Sequence, residues 1–278
     1  MNLQRALGLG RRASEDLVAV ARSASPGTSA RYLWGVATRL PQIVRTKKLI
    51  PADASMAGAT CTFHVNGTQV TVSGDVFGVA RELYCRQVYF ALPDFRIRHG
   101  DVVVDLGANR GLFTTLAARV ARRVLAVEAQ HGFRAEIQGN LERNGCAGNV
   151  DIDLALVGGA TGVLSSDEEL RRASHFQGVV VPRKSMAALL REHEIDHVDF
   201  LKIDIEGSEF DLFRSADEWL ARVSKIVMEM HSAFGDPREL VAVLRASGMH
   251  VQTLTPDLRP VQAAPGVDGY LYASREAG

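Results

Sequence analysis

Residues 102–120, VVVDLGANRGLFTTLAARV, constrain the fold more than any other stretch of the chain. A run of β-branched apolar residues closes on Asp105, passes glycines at 107 and 111, and continues into apolar residues at helical spacing. A short, continuous apolar run reads as a strand covered on both faces, the usual state of a parallel strand, and a glycine turn from strand into helix is the joint of an α/β unit. The same alternation continues downstream. RVLAVE (123–128), NVDIDLALV (149–157), VDFLKID (198–204) and KIVMEM (225–230) read as further strands. Helical patterns over 112–122, 133–144, 185–193 and 237–247 separate or follow them. MHVQTL and GYLYAS supply a terminal pair with one antiparallel member, and residues 159–181 read as a hairpin insertion. The expected fold is α/β and Rossmann-like, with a mostly parallel seven-stranded sheet containing one antiparallel strand.

Two pieces precede this sheet. CTFHVNGTQVTVSG alternates around Asn66-Gly67, a pair that tolerates the two positive φ angles of a type I′ turn, so a β-hairpin is expected there, with a helix over 76–92 after it. The first 50 residues carry nine Lys or Arg against two acids, although the whole chain has 32 of each sign. Leu33, Val36, Leu40 and Val44 fall at helical spacing, Pro41 restarts that helix, and SASPGTSA (23–30) reads as a linker. The expected division is a basic helical extension over 1–60 and a catalytic domain over 61–278. The extension is expected to pack its apolar stripe on the main domain with its basic face in water; the alternative is docking on an anionic membrane or a lipid-linked substrate. With 46% apolar residues, no apolar run near the ~20 residues of a membrane span, and no secretory leader pattern, the chain reads as a cytoplasmic globular protein. Cys61, Cys85 and Cys146 lack the spacing of a disulfide framework or a zinc cluster.

In open α/β sheets the ligand crevice lies outside the carboxyl ends of the strands. Gly107 and Gly111 make the turn there, and Glu128 ends the next strand, where a carboxylate can accept from both hydroxyls of a ribose. A nucleoside-containing cofactor follows. The run Gly107-Ala108-Asn109-Arg110-Gly111 lacks one glycine of the dinucleotide pattern, and Asp105 suits a sulfonium and an ammonium better than a pyrophosphate. S-adenosyl-L-methionine is therefore favoured over a nicotinamide cofactor.

VDFLKIDIEGSEFDLF (198–213), with VVVDLGANRGLF, VLAVEAQ and IVMEMH, resembles the FkbM-type family of S-adenosylmethionine-dependent methyltransferases, over roughly residues 63–274. KIDIEGSE is its most specific part. The resemblance implies the class I methyltransferase fold and methyl transfer to hydroxyl groups of sugars and polyketide-like natural products. It implies a cofactor site at Asp105, Gly107, Asn109, Gly111 and Glu128, and a reaction centre at Asp204, Glu206, Glu209 and His231. Two departures are visible: Ala129-Gln130 rather than Pro follows the second-strand acid, and LALVGG offers the adenine only backbone and apolar contact through Ala155 and Leu156.

Read from the residues alone, Asp204 and Glu206 stand at the crevice end of a buried strand, with Lys202 as the expected partner of Asp204. Ser208 is placed to cap the next helix, and Glu209 either favours that helix's N-terminal dipole or serves catalysis. His231 ends the adjacent strand. Either His231 or Asp204 is the expected base for the acceptor hydroxyl, the other orienting it, and a divalent metal on Asp204, Glu206 and His231 is the minor alternative. The acceptor is expected to be a small molecule or glycan; no basic, aromatic-rich stripe suggests nucleic acid. A nicotinamide-dependent oxidoreductase and a non-catalytic nucleoside-binding protein are the competing functions.

Overall fold

A computed structural model describes residues 3–158, 182–261 and 267–275, with side chains from Arg12 onward. The chain divides after Ala91 into two compact units, Met1–Ala91 and Leu92–Gly278, rather than at residue 60. The cause is the hairpin, which packs with the leader helices.

In the first unit α1 (Leu3–Ser23) and α2 (Pro26–Thr38) are separated only by Ala24 and Ser25. The expected linker is thus mostly helix: Ser25 caps α2 by accepting from the Thr28 amide, and Pro26 sits in the first turn, where its missing N–H costs nothing. α3 (Leu40–Thr46) restarts at Pro41 as expected, and α4 (Ile50–Asp53) follows. β1 (Thr60–Val65) and β2 (Thr68–Ser73) form the hairpin, with Asn66 and Gly67 both at positive φ. The Ser25 amide donates to Thr62 O at the edge of β1, and α5 (Phe77–Ala80) runs into a wide helical turn at Arg81–Cys85. The helix expected over 76–92 stops there, because Gln87 adopts a left-handed φ of 55°.

The apolar stripe read from the leader does not form its packing face. Thr28, Tyr32 and Gly35 are buried instead, Tyr32 stacking on Phe77 at 4.6 Å and donating to Asp53. A Cβ at Gly35 would collide with Ser55, so close approach selects the small residue. Leu33, Leu40 and Val44 point into solvent.

The second unit is built on one eight-stranded sheet. Its strands are β3 (Val102–Leu106), β4 (Arg123–Glu128), β5 (Val150–Leu154), β8 (Val198–Ile203), β9 (Val223–Met230), β10 (His250–Leu254), β11 (Pro260–Val261) and β12 (Gly269–Ser274). Their order is β11-β10-β12-β9-β8-β3-β4-β5. The pairs from β5 to β9 are parallel and β12 runs antiparallel to both its neighbours, the expected arrangement. The two-residue β11 adds an eighth, edge strand that the sequence pattern did not reveal. The expected third strand breaks at Ala155, and β6 (Leu156–Val157) pairs with β7 (Arg183–Lys184) in a separate ladder. The hairpin expected over 159–181 lies outside the described residues. Among the described residues of this unit, the α-helices are α6 (Leu112–Ala118), α7 (Arg134–Arg143), α8 (Met186–Glu192), α9 (Glu209–Phe213) and α10 (Pro237–Ala246). β3 is buried at every position, which is why its sequence is apolar except at Asp105.

Candidate active site

The β3–α6 turn is held from below by a buried ion pair. β3 and β8 pair in a register that sets Asp105 directly opposite Lys202. The Lys202 ammonium lies 3.1 Å from Asp105 and donates to the carbonyls of Leu106 at 3.3 Å and Gly107 at 2.6 Å. Asp105 is fully buried, and its second oxygen accepts from the Thr114 hydroxyl at 2.6 Å. Burial pulls the Lys202 pKa down, but the Asp105 and Asp204 carboxylates outweigh it and hold the ammonium above its ordinary range. The nearest carboxylate to Lys202 is therefore Asp105, not Asp204: alternation along one strand matters less than the cross-strand partner. Asp105 belongs to the support of the turn, since its charge is already neutralised away from solvent. Lys202 and Thr114 were missed as parts of this support; the one available signal was a lysine inside the apolar run DFLKI.

The turn itself is shaped by internal contacts. Gly107 (φ 78°) lies against the backbone carbonyl of Asp204, where a Cβ would collide. Gly111 (φ 76°) leads into α6, and a Cβ there would meet Ile137 of α7 at 3.0 Å. Asn109 takes a φ of 50° and donates its amide to Glu128 at 2.6 Å. Glu128, only 5% exposed, also accepts from the Gln130 amide at 2.7 Å. Burial raises its pKa, against the lowering effect of those two amides. A carboxylate offers about four acceptor sites, so two remain for a ligand.

Glu128 ends β4 and Asp204 follows β8, with β3 between them. Two strand spacings, about 10 Å, separate the two positions along one sheet edge. At the β8 end the structure brings Asp204, Glu206, Glu209 and His231 together. His231 Nδ1 lies 3.0 Å from Glu209 Oε1, while Nε2 lies 3.5 Å from Glu206 and 4.0 Å from Asp204. Glu209 is fully buried; it accepts from the Ile205 amide, and its other oxygen has no hydrogen-bond partner among the described residues. Its place is beside His231, and Ser208 makes no side-chain cap on α9. Glu206 (φ 53°) and Gly207 (φ 99°) turn the chain sharply enough to aim Asp204 and Glu206 at the same imidazole.

The charges explain the protonation states. Burial alone would lower the His231 pKa, but the hydrogen bond to Glu209 and the charges of Glu209, Asp204 and Glu206 raise it to about 9. Burial, then the neighbouring Asp204, raises that of Glu206. The imidazole is thus a cation at neutral pH among three acids. One ligand atom each from Asp204, Glu206 and His231 lies within 4.8 Å of the others, so the same side chains could hold a divalent ion. The acid on the third strand, Asp153, is occupied elsewhere, with Lys184 at 2.8 Å and His193 at 2.9 Å.

Residues 105–251 match the family model described as the methyltransferase FkbM domain. This chain belongs to the FkbM methyltransferase family. It is 26% identical over 252 residues to the 31-O-demethyl-FK506 methyltransferase FkbM of Streptomyces tacrolimicus, covering 76% of this chain and 91% of that one. It is 24% identical over 212 residues to Methyltransferase 1 of Beauveria bassiana (strain ARSEF 2860), covering 66% and 84%. Among solved structures, precorrin-6y C5,15-methyltransferase from Geobacter metallireducens GS-15 aligns with a TM-score of 0.43 at 14% identity, covering 69% and 88%. An rRNA methylase from Streptococcus thermophilus aligns with a TM-score of 0.44 at 10% identity, covering 70% and 96%. Among the described residues, no helix is long and apolar enough to cross a membrane.

Proposed function

We propose that this FkbM-family methyltransferase transfers the methyl group of S-adenosyl-L-methionine to a hydroxyl oxygen of a sugar, glycolipid or polyketide-like acceptor. The observation that carries this reading is the spacing along one sheet edge: a ribose-competent carboxylate, Glu128, lies two strands from the acid–imidazolium group at Asp204 and His231. The relative named 31-O-demethyl-FK506 methyltransferase takes, by its name, an O-demethylated acceptor, which supports oxygen as the methylated atom.

The 107–111 turn would hold the donor's nucleoside and Glu128 its ribose hydroxyls, and the bound donor would supply an electrophilic methyl group on a sulfonium sulfur. The acceptor oxygen attacks the methyl carbon in line; the C–S bond breaks, its electron pair stays on sulfur as a neutral thioether, and the hydroxyl proton passes to a carboxylate. Because His231 carries a proton up to about pH 9, Asp204 is the acceptor of that proton and the His231 imidazolium orients Asp204 and the hydroxyl. Glu209 fixes the imidazole through Nδ1. Alignment at near-attack distance supplies most of the acceleration, since the sulfonium is already a strong electrophile.

The test is a separation of binding from turnover. Asp204→Asn and His231→Asn are expected to bind S-adenosylmethionine within a few-fold of the parent by calorimetry, and to lose roughly 10²–10⁴-fold in methyl transfer to a hydroxylated acceptor. Retained turnover in both variants refutes these roles. Activity abolished by a chelator and restored by a divalent ion would replace the proton-transfer account with a metal held on Asp204, Glu206 and His231.

A further inference from the structure

Among the described residues, the first unit exposes large apolar side chains on its consecutive helices α2 and α3 and at the start of α4. Nine large apolar side chains are exposed among the described residues, and five of them, Leu33, Trp34, Leu40, Val44 and Ile50, fall within residues 33–50. Scattered exposed leucines are ordinary, but a cluster of this kind is not. On α2 the buried face is Thr28, Tyr32 and Gly35, so helical geometry turns Ala30, Leu33, Trp34 and Ala37 outward together. α3 buries no residue at all, although Leu40, Pro41, Ile43 and Val44 make up most of it. Trp34 is 72% exposed and Val44 68%.

The segment that carries these side chains has charges of one sign only. Between Asp16 and Asp53 the sequence has no acidic residue and six cations, Arg22, Arg31, Arg39, Arg45, Lys47 and Lys48. Where α3 ends, a cavity of about 540 Å³ opens beside Ile50. Arg12, Lys47, Lys48 and the ion-paired Arg81 and Arg86 line it against two carboxylates, so its net charge is positive. Apolar side chains flanked by cations, next to a positive recess large enough for a phosphate headgroup, complement the surface of a bilayer rich in anionic lipid. A partner protein's apolar patch would match the side chains and leave the cations unanswered.

We propose that the first unit docks on anionic membrane surfaces, with α2 and α3 lying in the interface, Trp34 and Val44 at the acyl boundary, and a lipid phosphate in the basic cavity. This inference stands apart from the methyl-transfer chemistry and survives or fails without it.

The experiment uses the full chain and unilamellar vesicles of phosphatidylcholine, alone or with about one-third phosphatidylglycerol. The chain has two tryptophans, and Trp219 is 1% exposed, so a change in emission on adding vesicles reports Trp34. The protein is expected to co-sediment with the anionic vesicles only, with a blue shift of emission, and to be released by salt. Arg45→Ala with Lys48→Ala is expected to lower vesicle affinity about 25-fold, at roughly five-fold per cation. Val44→Asp is expected to abolish the blue shift. All three side chains are exposed, so melting temperatures should match the parent. Absence of co-sedimentation at low salt, equal binding to both vesicle types, or binding that survives both variants overturns the proposal. So does a lipid-independent dimer that blue-shifts Trp34, which would assign the face to a second copy of the chain.

Discussion

Replacing Lys202 with Met isolates what the buried pair beneath the glycine turn contributes. Methionine matches the length of the lysine stem but leaves the Asp105 carboxylate, fully buried, with one remaining hydrogen bond from Thr114. Removing one member of such a pair typically costs about 3–5 kcal/mol, because the surviving charge is unsolvated. The Leu106 carbonyl still accepts from the Asp204 amide at 3.0 Å, whereas Gly107 O loses its 2.6 Å donor, for on the order of 1 kcal/mol more. Against a whole-protein stability of roughly 5–15 kcal/mol, the midpoint of urea unfolding, followed by the emission of buried Trp219, should fall far below that of the parent. Asp105→Asn placed in the same chain removes the stranded charge, so the double variant is expected to regain at least half of the loss. A single-variant cost below about 1 kcal/mol, or strict additivity of the two changes, would refute the assignment of Asp105 and Lys202 as one unit.

Glu128→Ala is expected to weaken S-adenosylmethionine binding by roughly 2–3 kcal/mol and also to destabilise the fold by roughly 1–2 kcal/mol, since the part-buried hydrogen bonds from the Asn109 and Gln130 amides lose their acceptor; calorimetric titration and thermal melts read the two effects separately. The rate of methyl transfer should hold through neutral pH and fall as pH passes about 9, where His231 loses its proton; a rate that instead climbs through about 9 would make the neutral imidazole the base. Stability carries the same sign: the raised folded pKa stabilises fully below the ordinary imidazole value of 6.5 and is lost as pH rises through about 9, a loss that His231→Asn removes in pH-dependent melts. Gly107→Ala, which drives a Cβ into the Asp204 carbonyl at positive φ, should cost roughly 3 kcal/mol or more, while Gly139→Ala inside α7, where nothing lies within 4 Å, should gain up to ~1 kcal/mol; urea midpoints compare them.

The central strands β3, β4 and β8 were legible because they are covered on both faces and so read as apolar runs, and the hairpin because Asn66-Gly67 permits few other backbones. What the sequence hid depends on partners far along the chain. The leader's apolar stripe at Leu33, Leu40 and Val44 looked like a packing face, yet the contacts that bind α2 run through Tyr32, Asp53 and Phe77, and through a glycine whose role is to be small. The partner of Lys202 was hidden for a similar reason: only the β3–β8 register, joining residues about a hundred positions apart, sets Asp105 opposite it. In the reaction centre, Asp204, Glu206, Glu209 and His231 could each be named from strand ends and motif. That Glu209 grips Nδ1, and thereby presents Nε2 to the other two acids, required the positive φ angles at Glu206 and Gly207.

The charge at that edge bears on why methyl transfer suits it. Three carboxylates around one imidazolium leave an excess of negative charge in a partly buried site, where repulsion is poorly screened. A sulfonium donor offsets part of that repulsion on binding. In the proposed reaction its positive charge disappears as sulfur becomes a thioether, and one negative charge disappears as the hydroxyl proton reaches Asp204. Annihilating a separated pair of charges is favoured when water is excluded, so the burial that makes the acid cluster costly in the free protein lowers the barrier once donor and acceptor fill the crevice. The neutral thioether product lacks the charge that drew the donor in. Removing one acid should therefore weaken the preference for donor over product: Glu206→Gln is expected to narrow the ratio of S-adenosylmethionine to S-adenosylhomocysteine affinity by about five-fold, the scale of one ~1 kcal/mol charge interaction, as read by competitive calorimetry. An unchanged ratio would mean that the sulfonium lies beyond the reach of this cluster, and that the acids serve the acceptor alone.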